Sequence, residues 1–353
     1  MSNFYSNLEP RSFWRRAVSE KTIFNLHDFY RRKFDISRDD RIATAGSCFA
    51  QHVAANMRKR GFNILDVEPA PDFLSPAEAR DLGYGIYSAR YGNIYTVRQM
   101  LQLLADANSG IIRDEDFIAK NGRYIDALRP NTEPDGYESL EEARFARQDH
   151  LEKVKELFSG AELVVFTLGL TEAWEHKTSG TVYPLLPDTL TDEDTGNYKF
   201  HNFTYPEIAS ELRAVRQMLQ TMSPGVRMLL TVSPVPLTAT ASSNHVMVAT
   251  TYSKSVLRAV CGEMEAEFAD VDYFPSYEVI TAPLSHGVFY EPNMRSVNST
   301  GVNTAMSLFF AEHDREPAAA AAKATTAKPA AAGEPADEDE VVCEEIMLEA
   351  FSR

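Results

Sequence analysis

Between residues 41 and 313 the chain alternates short, wholly apolar runs with longer stretches of mixed character, and that alternation admits few folds. An apolar run buried on both faces suits an interior strand of a parallel sheet, and parallel neighbours must be joined by a crossover, usually a helix. The runs predict strands at 41–46, 62–67, 162–168, 227–232 and 271–274. Helices are expected to begin near Ser47, Val97, Pro206, Val246 and Ser299. Pro206 suits a helix start because its missing N–H would be unpaired there anyway. The arrangement predicted is α/β, a three-layer α/β/α sandwich around a flavodoxin-like parallel sheet.

The flanks differ from this body. Residues 1–40 are rich in aromatic and basic side chains, among them Phe4, Tyr5, Phe13, Trp14, Phe29, Tyr30 and Phe34. They read as an arm that buries its rings on the domain while its arginines stay in water. Residues 105–150 lack strand rhythm and hold Pro130, Pro134 and Gly136, so they are expected to form an insertion on the sheet's rim. Residues 314–340 run through Ala, Lys, Thr and Pro into an acidic patch. That composition cannot bury enough apolar surface to order itself, which predicts a disordered linker. Over 341–353 the apolar residues Val342, Ile346, Met347 and Phe351 recur at helical spacing, a short amphipathic helix suited to a protein partner.

Charge and cysteine content narrow the function classes. The net charge is −16, from 35 basic against 51 acidic residues, so the chain repels phosphate backbones and no nucleic acid is expected as partner. The three cysteines are too few and scattered for a disulfide framework or a zinc site. No apolar run serves as a signal peptide or bilayer span, so no membrane is expected and the compartment predicted is the cytoplasm. No metal-ligand spacing and no dinucleotide fingerprint is present, and no cofactor is expected.

Chemistry concentrates at Gly46-Ser47-Cys48-Phe49-Ala50, where the first apolar strand meets a helix. Ligands of open α/β sheets bind beyond the carboxyl ends of the strands, and a helix N-terminus there offers N–H groups and a positive dipole end. Ser47 is expected to be exposed, as a nucleophile beside oxyanion donors or as a simple helix cap. Cys48 is the alternative nucleophile.

These five residues, with Pro10-Arg11-Ser12-Phe13-Trp14, Tyr91 to Thr96, Thr167 to Trp174, Thr231 to Leu237 and Tyr273 to Tyr277, resemble the GSCFA family over most of residues 10–312. That family looks like a distant branch of the SGNH/GDSL hydrolases. The resemblance implies a serine nucleophile at Ser47 and an oxyanion glycine in a second block, matched by Gly92 with Asn93. The third block, usually Gly-x-Asn-Asp, reads Gly169-Leu170-Thr171-Glu172, with Thr171 in place of the oxyanion asparagine and Glu172 in place of an acid. The fourth block departs from the pattern: an Asp-x-x-His is expected before the last helix, and Asn293 and Ser296 stand there instead.

A base for Ser47 must then come from elsewhere. His245 and His286 are the candidates, because both lie in loops after strands, on the carboxyl edge. The function expected is serine esterase or acyltransferase chemistry on acyl esters of a carbohydrate, with Tyr95, Trp174 and Tyr183 either stacking on sugar rings or filling the core. The missing Asp-x-x-His leaves open a non-catalytic glycan-binding or interaction module.

Overall fold

The computed structural model describes residues 3–23, 25–191, 195–314 and 348. The linker and C-terminal helix expected over 314–340 and 341–353 lie outside the described residues, apart from Asp314 and Leu348. In chain order the elements are β1 (Ile42–Gly46), α1 (Phe49–Lys59), α2 (Pro76–Asp81), α3 (Val97–Ser109), β2 (Phe117–Lys120), β3 (Arg123–Asp126), α4 (Leu140–Gly160), β4 (Leu163–Leu168), β5 (Glu172–His176), β6 (Val182–Tyr183), β7 (Tyr198–Asn202), α5 (Tyr205–Met222), β8 (Arg227–Val232), α6 (Val246–Glu267), β9 (Val271–Tyr273), α7 (Ser276–Thr281) and α8 (Ser299–His313). Among the described residues no helix is long and apolar enough to cross a membrane.

Four strands pair in parallel in the order β1-β4-β8-β9. Alternate side chains leave opposite faces of a strand, and here both sets are apolar. Ala43, Ala45, Val164, Phe166, Leu168, Met228, Leu230 and Val232 join one core with α3, α4, α5 and α6. Ile42, Leu163, Val165 and Leu229 join a second core with α1, α7 and α8. A sheet apolar on both faces must be covered on both, which makes the three-layer α/β/α sandwich.

Local signals set the helix starts. Thr204 and Glu207 form a reciprocal capping box with Pro206 in the first turn of α5, and Thr96 with Gln99 does the same for α3.

Three expectations need correction. The strand over 62–67 is reduced to one parallel bridge, Ile42 to Ile64, because the next donor on β1, the Thr44 N–H, bonds the Ser88 hydroxyl at 2.9 Å. The chain then peels away, with the Val67 N–H bonding the Ser88 carbonyl. The irregular insertion ends by Ser139, which caps α4, and Leu151, Val154, Leu157 and Phe158 of that helix belong to the main core. The insertion itself contains the antiparallel hairpin β2–β3.

The arm meets its expectation only from Leu26 onward, where Leu26, Tyr30 and Ile36 are buried. Phe4, Tyr5 and Trp14 stand exposed, on single helical turns that bury no residue. A second small sheet, β6-β5-β7, occupies residues for which the sequence predicted no strand.

Candidate active site

β1 delivers Ser47 to the carboxyl edge of the sheet. Gly46 makes the delivery possible: its φ is +137°, and a Cβ there would lie 2.4 Å from the Thr167 carbonyl oxygen of β4. A side chain is excluded by backbone, so the two strands remain in register up to the pair Gly46–Thr167. The Ser47 N–H continues the pairing to the Thr167 carbonyl at 3.0 Å and is therefore not an oxyanion donor in this state.

Ser47 does not cap α1. The N-cap residue is Cys48, without a side-chain cap bond, and among the described residues the Ser47 hydroxyl has no hydrogen-bond partner although it is buried. The expected exposure is overturned as well, since Ser47 is only 2% accessible. Its cover comes from the neighbouring blocks. A Cβ on Gly169 would stand 2.9 Å from the Ser47 Cβ, so only glycine allows the end of β4 to lean on the serine.

The segment from Tyr91 to Tyr95 crosses the mouth. Its Ile94 N–H bonds the Gly46 carbonyl, and its Tyr95 carbonyl accepts from the N–H groups of Gly169 and Leu170. Tyr95, Leu170 and Leu237 pack together above the edge, with Val246 against them, as a cluster separate from the two main cores.

The second-block residues lie in this crossing segment. Gly92 has φ +69°, the left-handed turn that redirects the chain. The buried Asn93 carboxamide oxygen accepts from Gln51 Nε2 at 3.3 Å and from the Tyr87 hydroxyl, which also lies 3.1 Å from the Ser47 carbonyl. Thr171 is buried, and its hydroxyl proton is directed to Asn202 Oδ1 at 2.7 Å. Glu172 opens β5 and is no freely solvated loop carboxylate. It is half-buried, burial raises its pKa above the ordinary carboxylate value, and it accepts the Thr240 hydroxyl at 2.7 Å.

Neither histidine candidate bonds Ser47. His245 is exposed and caps α6, its Nδ1 accepting the Met247 N–H at 3.1 Å. His286 is exposed in a left-handed turn with φ +48°. Asn293 and Ser296 of the fourth block bond each other at 3.0 Å in a surface turn. Tyr183 is buried in a cluster of its own with the half-buried Trp174 packed against it, and Tyr95 is buried with Leu170 and Leu237, so all three rings are packed on protein in this state.

Two residues of α6 belong to the site and were not picked out from sequence. Ser253 Oγ accepts the Thr171 N–H at 3.0 Å, and Lys254 Nζ donates to the Gly169 carbonyl at 2.7 Å. The available signal was periodicity, since Lys254 shares the buried stripe of α6 with Leu257 and Cys261, where a charged residue is out of place. Asn202, which holds the Thr171 hydroxyl, was also missed, because its strand is polar and short.

Among the described residues no group of histidine, cysteine, aspartate and glutamate side chains is arranged to hold a metal. The family model described as the GSCFA family matches residues 41–309, from the residue before β1 into the last turns of α8. No curated protein matches the chain.

Proposed function

The chain belongs to the GSCFA family, and from that premise we propose that it is a serine hydrolase or acyltransferase in which Ser47 attacks an acyl ester. The observation that carries the reading is the Ser47 hydroxyl itself, buried at the carboxyl edge of a parallel sheet with no hydrogen-bond partner among the described residues. A buried polar group is nearly always hydrogen-bonded, and an exception calls for an explanation, of which a catalytic role is one. The Ala50 and Gln51 N–H groups already bond the Ser47 and Cys48 carbonyls, so the Phe49 N–H at the start of α1, with the Gly92–Asn93 turn, would hold the oxyanion, supported by Thr171 and the Asn202 that it holds. The cluster of Tyr95, Leu170 and Leu237 must open to admit the ester. Because it is separate from the main cores, it can do so without disturbing the sheet.

The acyl ester of a carbohydrate remains the proposed substrate, by likeness to the SGNH/GDSL hydrolases. The cytoplasm is the proposed site of action, in keeping with Cys48 and Cys261, neither of which is in a disulfide.

A non-catalytic binding module is favoured by one observation, the side-chain bond between Asn293 and Ser296 where an acid and a base would stand. Ser47→Ala separates the two readings. Removing a buried, unpartnered hydroxyl should leave the stability unchanged or raise it by about 1 kcal/mol, while turnover of short p-nitrophenyl esters disappears. A wild type without turnover, or a variant that retains it, favours the binding module or another nucleophile.

A further inference from the structure

We infer that the exposed face at the start of α6 seats the acyl chain of the substrate, so that the ester carries an alkyl chain rather than an acetyl group. The inference rests on the serine-hydrolase reading above. The first turns of α6 have two faces, and the inner one holds the candidate site. Val246 packs on Tyr95, Leu170 and Leu237, the Thr250 hydroxyl accepts the Leu237 N–H at 3.3 Å, and Ser253 Oγ accepts the Thr171 N–H at 3.0 Å. This framework meets the nucleophile at Gly169, where a Cβ would stand 2.9 Å from the Ser47 Cβ and 3.1 Å from the Tyr95 carbonyl oxygen.

The outer face is apolar and carries no charge. Met247 and Val248 are 71% and 57% exposed, and Tyr252 is 42% exposed. Val248 and Tyr252 are neighbours at i, i+4 and Met247 stands beside Val248, so the three lie on one side of the helix. From residue 228 to residue 253 the sequence holds no Asp, Glu, Lys or Arg, in a chain of which 24% is charged. The buried strand β8 explains only the beginning of that stretch. The loop after it and the outer face of α6 lie in water, where charged side chains are usual. Single exposed apolar residues are ordinary, but a group of them on one uncharged face marks a contact surface.

Position and charge select the occupant. The face continues the cluster of Tyr95, Leu170 and Leu237 through Val246, the residue that precedes Met247. An ester that reaches Ser47 past Val246 lays one of its halves on Met247, Val248 and Tyr252. A sugar alcohol would give up hydration there without gaining a charged partner, whereas an alkyl chain gains with every methylene removed from water. Methionine, unbranched and adaptable, suits a chain of that kind.

The experiment uses the full chain and p-nitrophenyl esters from acetate to octanoate, each below its solubility limit. In the wild type kcat/KM should rise about fourfold for each methylene that reaches the face. The triple variant Met247→Ser/Val248→Ser/Tyr252→Ser changes exposed positions only and should lower the octanoate-to-acetate ratio of kcat/KM by about tenfold or more.

A wild-type series that is level or falls with chain length overturns the inference, as does a triple variant with the ratio of its parent. Light scattering tests the rival occupant: a dimer that the triple variant dissociates, with the ratio unmoved, gives the face to a second copy of the chain. Should the triple variant lose its cooperative unfolding transition, Met247→Ser decides by the same ratio, a fall of about threefold supporting the inference and an unchanged ratio refuting it. A wild type that turns over none of the esters removes the serine reading and this inference with it, whereas turnover that ignores chain length removes this inference alone.

Discussion

Mild acid should destabilise this protein through two buried histidines, His150 and His313. His150 lies fully buried, with Nδ1 2.8 Å from Glu68 Oε2 and Nε2 without a partner among the described residues. That pattern describes a neutral ring donating Nδ1–H to the carboxylate. Burial, reinforced by the positive charge of Arg129, pushes its pKa down to about 4, against the pull of Glu68 in the other direction. His313, the last residue of α8, faces the arm, its Nε2 3.2 Å from the Tyr30 hydroxyl, which itself donates to Asp272. Burial, with Arg32 and Arg227 nearby, brings its pKa down to about 3.

Both values lie below the ~6.5 of an unfolded histidine, so in acid the unfolded chain binds protons that the folded one refuses. The stability owed to each neutral ring is complete above about pH 7 and is lost as the pH falls through 6.5 towards the folded pKa. Between pH 7 and pH 5 this amounts to about 2 kcal/mol for each histidine. Set against a total stability of about 5–15 kcal/mol, two such losses are large. Urea unfolding at the two pH values should show the drop. Asp116, whose pKa burial raises to about 6, gains a proton in the folded chain over the same range and offsets part of the fall. His150→Gln and His313→Gln, whatever their stability at pH 7, should therefore each flatten the fall between pH 7 and pH 5 by about 2 kcal/mol. Variants with the slope of the parent would refute the account of these rings as neutral.

Other outcomes follow from the close contacts of the site. Gly46→Ala places a methyl group against the Thr167 backbone at a φ that side chains rarely adopt, and should cost about 3 kcal/mol or more in a thermal melt; a loss below 1 kcal/mol would mean that β1 and β4 part easily. Leu237→Ala thins the cluster that Leu237 forms with Tyr95 and Leu170 and should cost about 2 kcal/mol or more, with faster labelling by a small fluorophosphonate if that cluster is what screens Ser47; slower labelling would show the cluster to be part of the binding surface. Asn202→Ala should reduce ester turnover by about 10²-fold if its amide serves the oxyanion, and undiminished turnover would confine it to holding Thr171.

The sheet was legible because the physics that forms it is written in single residues. Strands apolar on both faces, such as Leu163–Leu168, can be nothing but interior, and Thr204, Pro206 and Glu207 announce a helix by chemistry that does not depend on distant contacts. The bridge at Ile64 was misread as a strand because what ends its ladder is a hydroxyl far along the chain, Ser88. The sheet β6-β5-β7 was missed because Glu172–His176 is polar on alternate positions and Val182–Tyr183 is two residues long, too short for any rhythm.

At the site, the sequence placed Ser47, Gly92, Asn93, Gly169 and Thr171 near one edge. What it hid is cover and direction: the closeness of Gly169 to the serine, the commitment of the Thr171 hydroxyl to Asn202, and the cap that keeps His245 at the end of α6. The inward position of Lys254 stood in the pattern of α6, where a charge falls on the apolar stripe.

The central claim is that Ser47 is a nucleophile, and the most direct test is covalent capture. Folded protein treated with a fluorophosphonate and digested should carry the adduct on the peptide containing Ser47, and on Ser47 within it. The same protein unfolded in urea should carry none, because only the folded site activates the hydroxyl, and Ser47→Ala should carry none in either state. An adduct on another residue of the folded protein, or a folded protein that takes no label at all, would contradict the account.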